Sequence, residues 1–363
     1  MNKKWGLSAA ALLLTAAVIL PGCGSKQEAP KEALKSAATK ATTMSSYEMK
    51  SKFSINDLTI ETADAESAAM TTQVLSMLKN ADITVDGVYQ ADPMQTELTM
   101  VLNLKGDMSM SFNVPMVMTT EKLYVKIPSI PFFPIPETIV NKFVEVDLKA
   151  LAEQEGAEFN PNSLDTQKMQ KFSNEVMDTV LAEYDEGKYF NELSPKEANL
   201  PEGVEAKQVV QFKVTNDNVK EAITIFVNNA LPKIIDIVSK EEYKDMLQIN
   251  DADLAKAKEE ITSSETRTEF DKSLADLDKY LTINQFHYNT AINKDGFPVY
   301  QDLLMDIKVN DPEDGTNVAF SVNGTGQYDK INEKPEFKIG IPQGDDVITM
   351  DQLEEQFGSL GTY

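Results

Sequence analysis

Leu98-Thr99-Met100-Val101-Leu102-Asn103-Leu104, then Lys105-Gly106-Asp107, then Met108-Ser109-Met110-Ser111-Phe112-Asn113-Val114-Pro115-Met116-Val117-Met118 is the stretch that decides the fold. Apolar side chains recur at every second position on both sides of a short polar break. Successive strand residues point to opposite faces, so this period of two predicts two strands, each with one buried face. A glycine-bearing break of three residues predicts that they pair as an antiparallel hairpin.

The same texture extends outward. Ile83, Val85 and Tyr89 alternate before the hairpin, and Leu123, Val125 and Ile127 follow it across Thr119-Thr120-Glu121. Together these runs predict a meander. Tyr47, Met49, Phe53 and Ile55 predict an earlier strand, and residues 143–148 a later short one. Further strands are expected around Val210, Phe212 and Val214, over Phe286, Tyr288 and Ile292, from Val299 to Val309, over Val318, Phe320 and Val322, and at 337–341. Turns are expected at Lys294-Asp295-Gly296 and across 311–315.

Helical periodicity fills the intervals. Ala33, Leu34, Ala37, Ala38 and Ala41 form one stripe, and Met169, Phe172, Val176, Val180 and Tyr184 another. Residues 61–80, 240–261, 266–280 and 350–357 also read as helix. A helix opened by Asn216 should turn Val219, Ile223, Phe226, Val227 and Ala230 inward and kink or stop at Pro232. Four prolines among Ile130, Phe132, Phe133 and Ile135 make residues 127–137 an apolar loop, and 154–165 reads as a second loop. Strands arriving in hairpin runs, without one-for-one alternation with helices, imply an α+β domain with a mostly antiparallel sheet.

The N-terminus assigns a compartment. Met1-Asn2-Lys3-Lys4 is basic and residues 7–20 are almost purely apolar. That run falls short of the ~20 residues a membrane-spanning helix needs and reads as a signal peptide. Its end, Leu20-Pro21-Gly22-Cys23, resembles the bacterial lipobox, and Cys23 is the sole cysteine. The expected organisation is a signal peptide over 1–22, an acylated Cys23 with a tether over 23–31, and a single α+β domain over 32–363. The anchor would hold the domain on the outer face of the bacterial cytoplasmic membrane.

Composition excludes several functions. The formal net charge is −24, and loss of Lys3 and Lys4 makes the mature chain more acidic still. Such a surface repels phosphate backbones, so no nucleic-acid partner is expected. With Cys23 acylated, no thiol remains for a disulfide or a thiolate metal site. His287 is the sole histidine and shares a strand face with Gln285 and Asn289, which reads as a solvated sheet position. Histidine-based triads and zinc sites lack ligands. Carboxylates abound, but no spacing singles out an acid/base couple. No cofactor motif is present, and the chain reads as a non-enzyme.

Methionine stands out. Met108, Met110, Phe112, Val114, Met116 and Met118 occupy one face of one strand, with Met100 on its neighbour. Flexible, polarizable thioethers suit either a core or a surface that adapts to variable apolar shapes. Those seven residues, with Phe132 and Phe133 of the proline loop, are the candidate lining of an apolar cavity. A copper(I) site built from thioethers is the other chemistry open to them.

The order of elements also carries a resemblance. A lipobox, a tether and an alanine-rich helix end in Met44-Ser45-Ser46-Tyr47; a meander then closes on Leu123-Tyr124-Val125-Lys126, followed by Phe143-Val144-Glu145-Val146-Asp147-Leu148. This resembles the Gram-positive relatives of the LolA/LppX-type lipoprotein carriers, with Phe143 where family members commonly carry tryptophan. The resemblance implies a strongly curved, mostly antiparallel half-barrel with helices across its concave face and an apolar cavity between them. It implies binding of a lipid or acylated molecule without catalysis. The alternative is a structural lipoprotein with a solid core that docks a protein partner at the cell surface.

Overall fold

The computed structural model describes residues 27–61, 79, 81–104, 109–130, 135–154, 166–310 and 317–358. Its strands are β1 (Ser46–Glu61), β2 (Asp82–Ala91), β3 (Met94–Leu104), β4 (Met110–Thr119), β5 (Lys122–Lys126), β6 (Phe143–Asp147), β7 (Phe190–Leu193), β8 (Gln208–Lys213), β9 (Leu281–Ile292), β10 (Pro298–Asn310), β11 (Asn317–Asp329) and β12 (Val347–Thr349). They form one twelve-stranded sheet in the order β12-β6-β5-β4-β3-β2-β1-β11-β10-β9-β8-β7. Every pairing is antiparallel except the short parallel contact of β12 with β6. The sheet is not closed, and its two edge strands are short, which limits unwanted edge pairing.

The expected meander is β2 to β5, the separately expected short strand is β6, and the expected C-terminal hairpins are β9 to β11. β1 joins the two blocks, pairing with β2 on one side and with β11 on the other. Pro115 lies within β4, and pairing of β4 with β5 is confined to residues 116–118 just beyond it, as suits a residue without an N–H.

The helices are α1 (Pro30–Ala41), α2 (Leu148–Gln154), α3 (Thr166–Glu183), α4 (Glu186–Tyr189), α5 (Val219–Ile225), α6 (Leu231–Val238), α7 (Glu241–Leu247), α8 (Asp251–Thr262), α9 (Ser264–Ala275), α10 (Leu277–Tyr280) and α11 (Met350–Gly358). On α1 the alanine stripe is buried as expected at Ala33, Leu34, Ala37 and Ala38. It packs with Tyr184, Tyr189, Phe190, Val210 and Phe212 over the β7–β10 end of the sheet.

Of the two outcomes expected at Pro232, the helix does not stop: a π-helical turn over Phe226–Ala230 precedes the proline and α6 runs on to Val238, with Pro232 in its first turn. Three expectations are corrected. Phe226 does not face inward; it is 39 % exposed at the start of that wide turn. The 240–261 pattern is two helices, because Gln248 adopts a left-handed conformation (φ 54°) that closes α7. Residues 337–341 form no strand; their amides turn to a side chain described below. The strand at that end is β12. Of the helix expected over 61–80, Glu61 instead closes β1, and of the loop expected over 154–165, Gln154 instead ends α2; the remaining residues of both, apart from Lys79, lie outside the described residues.

Candidate functional site

Register places the side chains of one sheet face in rows that cross the strands. One row runs Phe112, Leu102, Ile83, Phe53, Gly324, Leu303, Tyr288, Phe212. The next runs Val114, Met100, Val85, Ser51, Gly326, Gln301, Thr290, Val210. These two rows are apolar except where the second carries Ser51, Gln301 and Thr290. The opposite face of the same strands holds Lys50, Lys52, Asp86, Asn103, Asp302 and His287.

At the middle of both rows β11 contributes glycine, so the sheet there has no side-chain layer. The result is a trench of about 300 Å³ walled by Phe53, Ile83, Val85, Leu303 and Tyr288. It adjoins a second cavity of about 350 Å³, since both are lined by Tyr288, Gln301 and Leu303. The second cavity lies between the sheet and helices α1 and α3, which contribute Leu34, Ala37, Asn174, Met177 and Leu181. Both volumes fall at the lower end of the range of small-molecule pockets.

The roof is tied down by its own helix ends. Asn174 Nδ2 on α3 donates to the Ala38 carbonyl at 2.7 Å, near the C-terminus of α1. In return Lys31 Nζ on α1 donates to the Ala182 and Tyr184 carbonyls at 3.1 and 2.9 Å, where α3 ends. Carbonyls left open at helix C-termini are thus satisfied between the two helices. Along the strands from Ser51, Tyr47 packs against Tyr89 and Tyr328 at ring-centroid distances of 5.0 and 5.3 Å. Burial, reinforced by the neighbouring phenols, pushes the Tyr47 hydroxyl well above the ordinary tyrosine range. Burial likewise raises Tyr328, and it lifts Tyr288 to about 12.

The methionine stripe sits on the same face but beside the trench. Met100 and Val114 continue the Ser51 row and Phe112 continues the Phe53 row, each beyond the wall of Ile83 and Val85. Met110 faces Leu104, Met116 faces Leu98 and Met118 faces Thr96. None of these lines either cavity. Met108, Phe132, Phe133 and Cys23 lie outside the described residues. What the methionines missed was carried by Asn323-Gly324-Thr325-Gly326, where alternate glycines inside a strand mark a face without side chains.

His287 is on the polar face, as expected, with Nε2 at 3.4 Å from Asp302 Oδ1. Asn289 Nδ2 donates to the same carboxylate at 3.2 and 3.0 Å and accepts from Gln211 at 3.0 Å. That carboxylate is occupied by sheet partners. Among the described residues no group of three His, Cys, Asp or Glu could hold a metal ion. A further cleft of about 460 Å³ is lined by Lys207, Lys294, Asp295, Asp329, Lys330 and Glu333, where opposed charges alternate and no single ligand charge is selected. The chain matches no protein-family model and no curated protein.

Proposed function

We propose that this chain is a membrane-anchored extracytoplasmic lipoprotein that holds a hydrophobic ligand, a lipid or acylated molecule, without chemistry. In this reading the sheet curls as an open half-barrel, helices α1 and α3 cross its concave side, and the ligand occupies the trench and the cavity beneath the helices. The observation that carries the reading is a pair of adjoining apolar cavities, the trench where Gly324 and Gly326 leave the sheet bare and the one beneath α1 and α3. An acyl chain leaving a bilayer for such a site exchanges one apolar surround for another, so transfer is nearly free-energy neutral and reversible.

The anchor fits the same reading. Gln208 Nε2 donates to the Glu28 carbonyl at 2.8 Å, so the tether is pinned at the start of β8. Cys23 stands five positions before Glu28, with four residues between them, a reach of at most about 18 Å for an extended chain. An acylated Cys23 would therefore hold the β7–β8 edge close to the lipid surface.

The test uses the chain from Gly24 onward, which contains every described residue, with a fluorescent acyl probe. Wild type should bind saturably. A Cβ built on Gly324 meets only Phe53, at an ordinary 3.8 Å, so Gly324→Val should fill the trench without disturbing the strand. It should weaken binding at least tenfold while the unfolding temperature holds or rises. A wild type without saturable binding to any acyl probe would remove the reading.

A further inference from the structure

Beneath α1 and α3 the cavity is apolar except at one spot. Thr290 on β9 stands opposite Gln301 on β10 in the ladder, and both line the cavity together with Tyr288. Thr290 is 3 % exposed, and its hydroxyl oxygen makes no hydrogen bond. The Tyr288 phenol lies near enough to be influenced by that hydroxyl, yet the geometry of a bond to it is not met. A buried hydroxyl without a partner is costly, and native interiors rarely keep one without a reason. Apart from that contact with the Tyr288 phenol the fold offers it no polar partner: the backbone of Thr290 is held in the ladder between β8 and β10, and its side chain faces the void.

Charge is missing from the same walls. Among the described residues lining the two cavities, the sole charged residue is Lys52, and its side chain lies on the opposite face of the sheet, 3.8 Å from Asp82. An anionic group carried under the helices would have no counter-charge, and a buried unpaired charge is strongly disfavoured. A hydroxyl, by contrast, donates one hydrogen bond and accepts others, and the Gln301 amide offers both polarities as well.

Resting on the ligand-binding reading above, we propose that Thr290 and Gln301 form the polar anchor of the site. There they would hydrogen-bond one uncharged oxygen function of the ligand, such as an acyl ester, and discriminate against a free carboxylate. The apolar walls would hold the chain, and the Thr290–Gln301 pair would fix its position along the trench.

The test compares a fluorescent monoacylglycerol with the fatty acid carrying the same chain and fluorophore, at pH 8, on the chain from Gly24 onward. The monoacylglycerol should bind at least tenfold more tightly. Thr290→Val keeps the shape, removes a hydroxyl that makes no hydrogen bond of adequate geometry in the fold, and suits a strand. It should therefore leave the unfolding temperature unchanged or raised. The same substitution should weaken monoacylglycerol binding about five- to tenfold and leave the fatty acid unaffected. Equal affinity for the two probes, tighter binding of the fatty acid, or a Thr290→Val variant that binds as wild type would overturn this inference alone. A lowered unfolding temperature in Thr290→Val would also overturn it, by showing that the hydroxyl serves the fold. Failure of both probes to bind would remove the ligand-binding reading and this inference together.

Discussion

Glu97 on β3 accepts the backbone amide of Gly340 at 2.6 Å, although 243 residues separate them in the chain. Its other carboxylate oxygen accepts from Lys338 and Ile339 at 2.8 and 2.9 Å, and the side chain is 3 % exposed. One carboxylate thus satisfies three consecutive amides, with Gly340 at φ 69° supplying the turn. The strap so held lays Ile339 over Val117, Tyr124 and Phe143, on the sheet face away from the trench. Glu97→Ala should cost on the order of 2–4 kcal/mol, because three amides lose a charged acceptor. Glu97→Gln should cost less. Urea unfolding gives the loss, and hydrogen exchange should show the amides of 338–340 losing protection before the meander does. Unchanged protection there would mean that Ile339 packing alone holds the strap.

The glycines of the apolar face divide into two kinds. A Cβ on Gly87 would stand 2.6 Å from Leu98 Cδ2 and 3.2 Å from the Glu97 carbonyl oxygen, so β2 approaches its neighbour closely there. Gly87→Ala should destabilise by about 1–3 kcal/mol through overpacking. On Gly326 the nearest atom would be Ser51 Oγ at 3.9 Å. Gly326→Ala should be neutral or stabilise by about 0.5–1 kcal/mol, as alanine loses less chain entropy in a strand. Thermal unfolding of both variants checks the contrast; a destabilised Gly326→Ala would mean that the trench floor is needed by the fold.

High pH should unfold the protein through its buried phenols. Tyr288 is raised from 10.0 to about 12, and Tyr47 and Tyr328 are raised as well, with burial the largest cause in each. In the unfolded chain these groups ionise near pH 10, whereas in the fold they stay protonated. The unfolded state therefore binds fewer protons in this window, and stability that is complete below pH 10 is lost as pH rises toward 12. Phenolate absorbance should rise in two stages, exposed tyrosines first and the buried set together with loss of sheet signal. Independent, non-cooperative titration of all tyrosines would contradict the burial described for Tyr47, Tyr288 and Tyr328.

Most strands were legible because their apolar residues alternate over long runs, as in β3, β4 and β10. The trench was not. Past Val322, β11 continues through Asn323-Gly324-Thr325-Gly326, where the apolar alternation stops although the pairing with β1 does not. The pattern that marks a strand is a pattern of side chains, and the site exists where they are missing. The opposite error arose at Phe337, Ile339 and Ile341, which alternate as a strand does; the buried Glu97 carboxylate captures the amides a ladder would have used. β7 and β12, of four and three residues, are too short to show any period. Among the candidate lining residues, the face of the methionines was readable from alternation. Their distance from the trench depends on which strands β1 joins, a long-range pairing that no local pattern encodes.

The membrane anchor can be tested apart from the ligand. The apolar run over 7–20, the Leu20-Pro21-Gly22-Cys23 site and the single cysteine together predict a thioether-linked lipid on Cys23. Behind it the chain is fixed early: besides the Gln208 contact to Glu28, Gln27 bonds to the Glu192 side chain on β7. Few residues are therefore left to act as a free tether. Metabolic labelling with an alkyne fatty acid should mark the wild type, and Cys23→Ala should carry no label while accumulating as precursor or escaping to the medium. Lengthening the tether by ten Gly/Ser residues after Cys23 should leave labelling intact but reduce protection of the β7–β8 edge from added protease. Equal labelling of wild type and Cys23→Ala would sink the anchor. Protease sensitivity that ignores tether length would instead show that the edge does not lie against the bilayer.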